Sequence, residues 1–351
     1  MRRKKVVEIN NFNNNNGLAL VKGFYNCNTS KGLKGSRGIK NATFPKSATN
    51  LSEKELKISA TGIEQVKGVT YFKQYYADLN KTIHRLLVYG SDNKIYINQL
   101  IDDTYDLFWL YGLQVNSPPI SLMYKQNDLD YMIIASVDTM YVWRVGYSPY
   151  KVEDVPIITS MCMHEGVLFC TVKDPAFKVW YALDLSADRI GHISNTSGYI
   201  SLDDDVGDAR KVVVFNQDIY VFRDYGISKI NYLKEEKTVS QIYKTNTKIY
   251  CDTISVCGNS ILFMTKEGLY GFNGVKVEKA DIQFFTDFDV KNDAAVAASL
   301  GEKYYLALRY DFNDGKQILC ENQEYKNNVL IVVDTSDMSY EVIRGDRKSV
   351  V

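Results

Sequence analysis

From about residue 59 onward the chain alternates apolar runs of four to eight residues, rich in Val, Ile, Tyr and Phe, with Gly, Asn and Asp turns. This is the texture of short strands, and little of it shows the 3.6-residue period of a helix. Only about 52–66 and 293–300 read as briefly helical. The stretch 211–230, KVVVFNQDIYVFRDYGISKI, predicts a three-strand meander: VVVF, a turn, IYVF, a turn with Gly226, then ISKI. Residues 254–273, ISVCGNSILFMTKEGLYGFN, repeat that grammar as ISVC, ILFMT and LYGF, with turns at Gly258-Asn259 and Gly268. Tyr89–Ile97 and Ile134–Trp143 each read as two strand ends around a polar turn.

These units share one plan. A strand leads through a tight turn to an apolar strand; a second turn carries Asp/Glu-x-Gly or a similar trio; the next strand holds an aromatic. Reference points for that later strand fall near Tyr96, Tyr141, Trp180, Ile227, Tyr270 and Leu330, with separations of 45, 39, 47, 43 and 60 residues. The first four match the roughly 40–50 residues of a four-stranded propeller blade. The last is stretched by 311–327, which reads as a long loop between strands. Six units follow, near 60–101, 118–150, 157–202, 208–245, 250–283 and 293–345. The expected fold is an all-β β-propeller of six blades over 59–345, with an extended basic N-terminal arm at 1–58 and a C-terminal tail at 346–351. A β-sandwich, whose turns also recur every 8–12 residues, stays open as the alternative. Radial closure favours the propeller because it removes the strand edges that so strand-rich a chain would otherwise expose.

Charge adds the arm to this picture. The 351 residues balance 42 Lys+Arg against 42 Asp+Glu, yet residues 1–50 hold ten cations and one acid, Glu8. The first fifty residues therefore carry +9 and the rest −9. The cations are Arg2, Arg3, Lys4, Lys5, Lys22, Lys31, Lys34, Arg37, Lys40 and Lys46. Rich in Asn and Gly and poor in apolar periodicity, this segment reads as an arm that does not fold alone. It is either a solvated tail or an interaction segment ordered by an acidic neighbour. Nucleic acid, contacted without specificity, is one such neighbour. The −9 body of another copy is a second, and head-to-tail contact of that kind closes into a ring where the rotation permits. Apolar content of 45% and charged content of 24% exclude a disordered, collagen-like or coiled-coil chain. The basic start is followed by Asn10–Asn16 rather than an apolar stretch, and no run approaches the roughly 18–20 residues of a bilayer span. No export signal and no membrane partner are expected.

Candidate chemistry is sparse. Of Cys27, Cys162, Cys170, Cys251, Cys257 and Cys320, none forms a C-x-x-C pair, and four sit in apolar runs, the pattern of reduced core thiols. A zinc site from Cys162, His164 and Cys170 lacks a fourth ligand. His84, His164 and His192 have no G-x-S-x-G nucleophile elbow to serve, and neither a G-x-G-x-x-G nor a phosphate-binding loop appears. Asp203, Asp204, Asp205 and Asp208 surround Gly207 in a turn between strands, read first as a solvated or capping turn. A Ca²⁺ loop there would lack the alternate spacing and the Glu at position twelve. The expectation is a non-enzyme with no catalytic, cofactor or metal site.

Residues 174–230 resemble a recurring segment of bacteriophage and prophage virion propellers. The matching positions are Val179-Trp180-Tyr181, then Gly198–Gly207 (GYISLDDDVG), then Ile219–Ile227 (IYVFRDYGI). Thr265–Gly274 (TKEGLYGFNG) is similar to the same family's paired strands, and Gly32–Asn41 (GLKGSRGIKN) to the Gly-rich basic stretch that leads into its first blade. The resemblance implies a structural protein of the tail-stabilisation, collar, nozzle or tail-hub kind, in the head–tail connector region. Proteins of that kind form rings around the DNA exit path. Partners would be other virion proteins and copies of the chain itself; the location would be the virion, assembled in the host cytoplasm. The alternative is a propeller that binds or hydrolyses carbohydrate, its Tyr-rich faces (26 Tyr in the chain) stacking on sugars. A cellular scaffold with a peptide ligand is a third reading, disfavoured because no WD or kelch signature appears.

Overall fold

The computed structural model describes residues 25–26, 66–76, 80–101, 104–126, 129–137, 139–144, 147–152, 155–182, 198–232, 237–280, 282, 294–309, 327–337 and 339–347. These form strands and turns, with no helix among the described residues. Apart from Tyr25–Asn26 (β1), the strands fall into six successive groups along the chain. The first is Val66–Tyr76, Lys81–Gly90, Lys94–Ile101 and Thr104–Gln114 (β2–β5). The second is Ile120–Gln126, Leu129–Ala135, Met140–Trp143 and Tyr150–Val152 (β6–β9). The third is Ile158–His164, Val167–Val172, Lys178–Ala182 and Gly198–Ser201 (β10–β13). The fourth is Ala209–Phe215, Asp218–Arg223, Gly226–Tyr232 and Lys237–Lys244 (β14–β17). The fifth is Ile249–Cys257, Ser260–Thr265, Gly268–Phe272 and Val277–Lys279 (β18–β21). The last is Val296–Leu300, Lys303–Leu308, Asn327–Asp334 and Ser339–Arg347 (β22–β25).

Each group is a sheet whose strand order is its chain order, and β1 adds to β25 as a fifth strand of the last sheet. Serial four-stranded antiparallel meanders are the repeat of the β-propeller class, and the chain is an all-β protein of that class. All six reference positions taken from the sequence lie on the third strand of a sheet: Tyr96 on β4, Tyr141 on β8, Trp180 on β12, Ile227 on β16, Tyr270 on β20 and Leu330 on β24. The acid-then-aromatic part of the plan has a physical basis. The Tyr96 hydroxyl donates to Asp92 Oδ2 at 2.5 Å, and the Tyr270 hydroxyl donates to Glu267 Oε2 at 3.0 Å, so the third strand is pinned to the turn before it.

Two expectations need correction. The first unit runs to Gln114 rather than 101, because Thr104–Gln114 returns as its fourth strand. Residues 296–300, read as briefly helical, are strand β22, paired from Val296↔Ala307 to Leu300↔Lys303. Small alanines carry no strand signal of their own there, and the neighbouring strand supplies it. The other helical suggestion, 52–66, and the loop at 311–327 lie outside the described residues save for Val66, which opens β2, and Asn327, which opens β24.

The chain divides into two compact units. One comprises Leu51–Val221 with Ile230–Val239; the other comprises Met1–Asn50, Phe222–Lys229 and Ser240–Val351. In the first unit, apolar layers form between consecutive sheets. Phe72, Leu87, Ile134 and Trp143 join β2–β5 to β6–β9; Ile133, Val142, Leu168 and Cys170 join β6–β9 to β10–β13; Phe169, Val179, Val212 and Val221 continue into β14 and β15. First strands also meet through hydroxyls: Thr70 with Ser121 at 2.7 Å, and Ser160 with the backbone of Val212 at 3.2 Å. In the second unit Leu262, Met264, Tyr304, Leu306, Ile331 and Val342 form one core, and Ser255 meets Ser299 at 2.7 Å. Second strands such as β11 and β19 are buried along their whole length, so they read as continuous apolar runs instead of alternating ones. Between β10 and β11, Glu165 and Gly166 both take positive φ (48° and 78°), the two-residue hairpin whose twist matches the strands.

Candidate interaction surface

Every arm cation selected from the sequence, Arg2, Arg3, Lys4, Lys5, Lys22, Lys31, Lys34, Arg37, Lys40 and Lys46, lies outside the described residues. The described part of the arm is β1. It joins β25 in parallel, with Tyr25 opposite Ser339 and Asn26 opposite Tyr340. The rest of that sheet is antiparallel. β1 is therefore not a step of the local meander but a strand added from a distant part of the chain.

The place where it lands is a corner built by three turns of one unit. The turn between β24 and β25 is ordered by its own side chains: Asp334 Oδ1 accepts from Ser336 N at 3.0 Å, and Asp337 Oδ1 from Ser339 N at 3.1 Å. Thr335 ties this turn to the one between β22 and β23, donating both N–H and Oγ1–H to the Glu302 carbonyl at 2.9 Å. Gly258 N donates to Gly301 O at 3.1 Å and brings in the turn between β18 and β19. The corner and the start of β25 thus carry Glu302, Asp334, Asp337 and Glu341, with Lys303 at 3.8 Å from Asp334. The thiol of Cys257 beneath it is pushed up to about 11, mainly by burial, with the Thr335 hydrogen bond opposing and the Asp334 and Glu302 charges adding to the rise. The sequence reading did not select these acids. The signal available was the Asp-Thr-Ser-Asp run at 334–337, which reads only as a turn until β1 is beside it.

The other sequence candidates resolve into local structure. Asp204 Oδ1 caps its turn by accepting from Val206 N at 2.9 Å, and Asp208 pairs with Arg210 at 2.8 Å while Gly207 takes φ 92°. No group of three His, Cys, Asp or Glu is placed to hold a metal ion among the described residues. Cys162 and Cys170 belong to the cores on opposite faces of their sheet, so the two thiols do not converge with His164 on one site. Burial pushes Cys162 up to about 12, the setting of an inert core thiol. His164 is half-buried at the end of β10; the side chain of His84 and all of His192 lie outside the described residues. The carboxylates with perturbed acidity serve turns. Burial acts to raise Asp92, but the Tyr96 hydroxyl, the Lys94 backbone N–H and the Lys94 charge outweigh it and hold the group below its usual value.

The third sheet presents an aromatic ledge at its outer edge. Trp180 and Tyr199 pair across β12 and β13 with ring centroids 5.2 Å apart, and Tyr199 is 50% exposed. Lys178 Nζ sits 3.9 Å from the centre of the Tyr199 ring and so covers that face. On the other side of the sheet Lys237 lies 4.7 Å from the Tyr181 ring and 5.3 Å from that of Tyr232.

No protein-family model matches the chain, and no curated protein matches it. Among solved structures, Hsv2 of the yeast Kluyveromyces lactis aligns at 8% identity over 80% of this chain and 93% of that one, with a TM-score of 0.45. Hsv2 of Kluyveromyces marxianus aligns at 8% identity over 82% of this chain and 99% of that one, at 0.40. PorZ, a surface component of the type-IX secretion system of Porphyromonas gingivalis, aligns at 11% identity and 0.49 over 81% of this chain and 32% of PorZ. The fold class stands on the sheet topology itself, and these similarities assign no role.

Proposed function

We propose that the chain is a non-enzymatic structural protein of a bacteriophage particle, a six-bladed propeller of the neck or tail that assembles into a ring through its basic arm and its faces. The observation that carries this reading is β1, a strand from the cationic leader laid on the edge of β25 beside an acidic corner. An arm of +9 working against a body of −9 steers neighbours together and sets their register. The virion-propeller resemblance of 174–274 supplies the setting. Contacts with other virion proteins belong to the same reading, as does non-specific contact with nucleic acid.

The carbohydrate alternative has the Trp180–Tyr199 ledge in its favour, but the stacking face of Tyr199 is already taken by Lys178. The assembly reading is preferred. It predicts that the dilute chain is monomeric and that deleting residues 1–50 abolishes incorporation into particles while the body stays folded by circular dichroism. Particles that assemble normally with the truncated chain in place would overturn it.

A further inference from the structure

We infer that the edge of β25 takes the Tyr25–Asn26 strand of a second copy of this chain, so that copies are linked by exchange of β1. This rests on the assembly reading above and names the contact through which it would act.

Three observations carry it. First, β1 covers only two of the nine residues of β25 and joins them in parallel, a ladder of two residue pairs that leaves the rest of that edge open to the same kind of pairing. Second, the connection to the body is long. Residues 27–65 separate β1 from β2, and 39 residues can span at most about 130 Å when extended. That reach allows the strand to arrive from a neighbour as readily as from its own chain. Exchange of an identical element makes the same contacts in either arrangement, so effective concentration decides between them. Third, the landing corner is charged to match the arrival. Glu302, Asp334, Asp337 and Glu341 outnumber Lys303 there, and the leader carries Lys22 and Lys31 on either side of Tyr25. Main-chain pairing supplies the geometry of strand addition, and the charges select a basic segment over other extended peptides.

The experiment uses the full chain with Cys27, Cys251 and Cys320 replaced by Ser. One variant carries Tyr25→Cys, a second carries Ser339→Cys with a distinguishable tag, and a third carries both. The first two are mixed at about 1 mM, the effective concentration a short tether sets, and treated with a mild oxidant, since Ser339 is buried and opposite residues of a strand pair can close a disulfide without an added bridge. A mixed crosslinked dimer comprising at least about a tenth of the chains is expected. It should fall several-fold in 0.5 M salt and when Asp337 and Glu341 are both changed to Lys, because the attraction between leader and corner is screened or reversed. Crosslinking confined within the double variant would show pairing only inside one chain and would overturn the inference. Absence of any crosslink, even in the double variant, would overturn it as well. Electron microscopy of the unmodified chain keeps the two ideas apart: rings without a mixed dimer defeat strand exchange and leave the assembly reading standing, whereas a mixed dimer with no ring at any concentration defeats the ring reading alone.

Discussion

Thr253 occupies the irregular middle of β18. The ladder with β19 pairs Tyr250 with Met264 and resumes at Ser255 opposite Leu262, so Cys251–Ile254 face the single residue Phe263. A bulge of this kind leaves main-chain groups without ladder partners. The Thr253 side chain replaces them: its Oγ1 donates to the Tyr250 carbonyl at 2.6 Å and accepts from Met264 N at 2.9 Å. Thr253 and Met264 are both fully buried, so no water takes over if the hydroxyl goes. Thr253→Val keeps the shape and removes both bonds. The buried Met264 N–H, left without its acceptor, costs about 1–3 kcal/mol, and losing the bond to the Tyr250 carbonyl adds about 0.5–1.5 kcal/mol, for an expected loss of about 2–4 kcal/mol. At roughly 2–4 °C per kcal/mol for domains of 150–250 residues, the unfolding midpoint falls by about 5–15 °C. Thr253→Ser keeps the hydroxyl and loses one methyl, for about 1 kcal/mol. Thermal unfolding of the three chains measures the ranking, and hydrogen exchange at Met264 reports the bond directly. If Ser proves as damaging as Val, or if the Met264 amide stays protected in the Val variant, the hydroxyl is not what satisfies the bulge.

Other outcomes follow from single contacts. A Cβ at Gly198 would lie 1.9 Å from the Tyr181 hydroxyl oxygen and 2.3 Å from its Cζ, so Gly198→Ala should destabilise by about 1–3 kcal/mol. Most of that penalty should vanish in a Tyr181→Ala background, as a double-mutant cycle by urea unfolding will read. Burial raises the folded-state pKa of Cys162 to about 12 and of Cys257 to about 11, from an ordinary value of 9.0. These thiols should resist a thiol reagent at pH 8 until the chain unfolds. Because the folded values are raised, their contribution to stability is complete below pH 9 and is lost as pH climbs from there towards 11–12; a stability profile that stays flat across that window would contradict it. The Thr247 and Tyr270 hydroxyls hold Glu267 below its ordinary 4.5, so its contribution is present above that pH and fades as acid is added. Glu267→Gln should accordingly flatten acid unfolding followed by fluorescence.

The long blade-like period, the six units and the third-strand positions were legible in the sequence because each depends on chemistry local to one hairpin. Apolar runs, Gly and Asn turns, and an acid placed before an aromatic are all set within about ten residues. Asp92 with Tyr96 and Glu267 with Tyr270 show why the last of these repeats: the two side chains bond each other. What failed was also local in cause. Val296–Leu300 has no strand signature of its own, and Thr104–Gln114 follows Asp102-Asp103, so its return along β4 shows only in the folded sheet.

The amino-acid order by itself determined that this is a β-meander protein with a cationic leader, since periodicity and charge are properties of the chain before it folds. Only the tertiary structure decided that Cys162 and Cys170 join different cores and that the Tyr25–Asn26 strand lies on β25. Those facts depend on pairs far apart in the chain, Tyr25 with Ser339 above all, and such pairings are chosen by sheet edges and packed faces that exist only once the strands have come together.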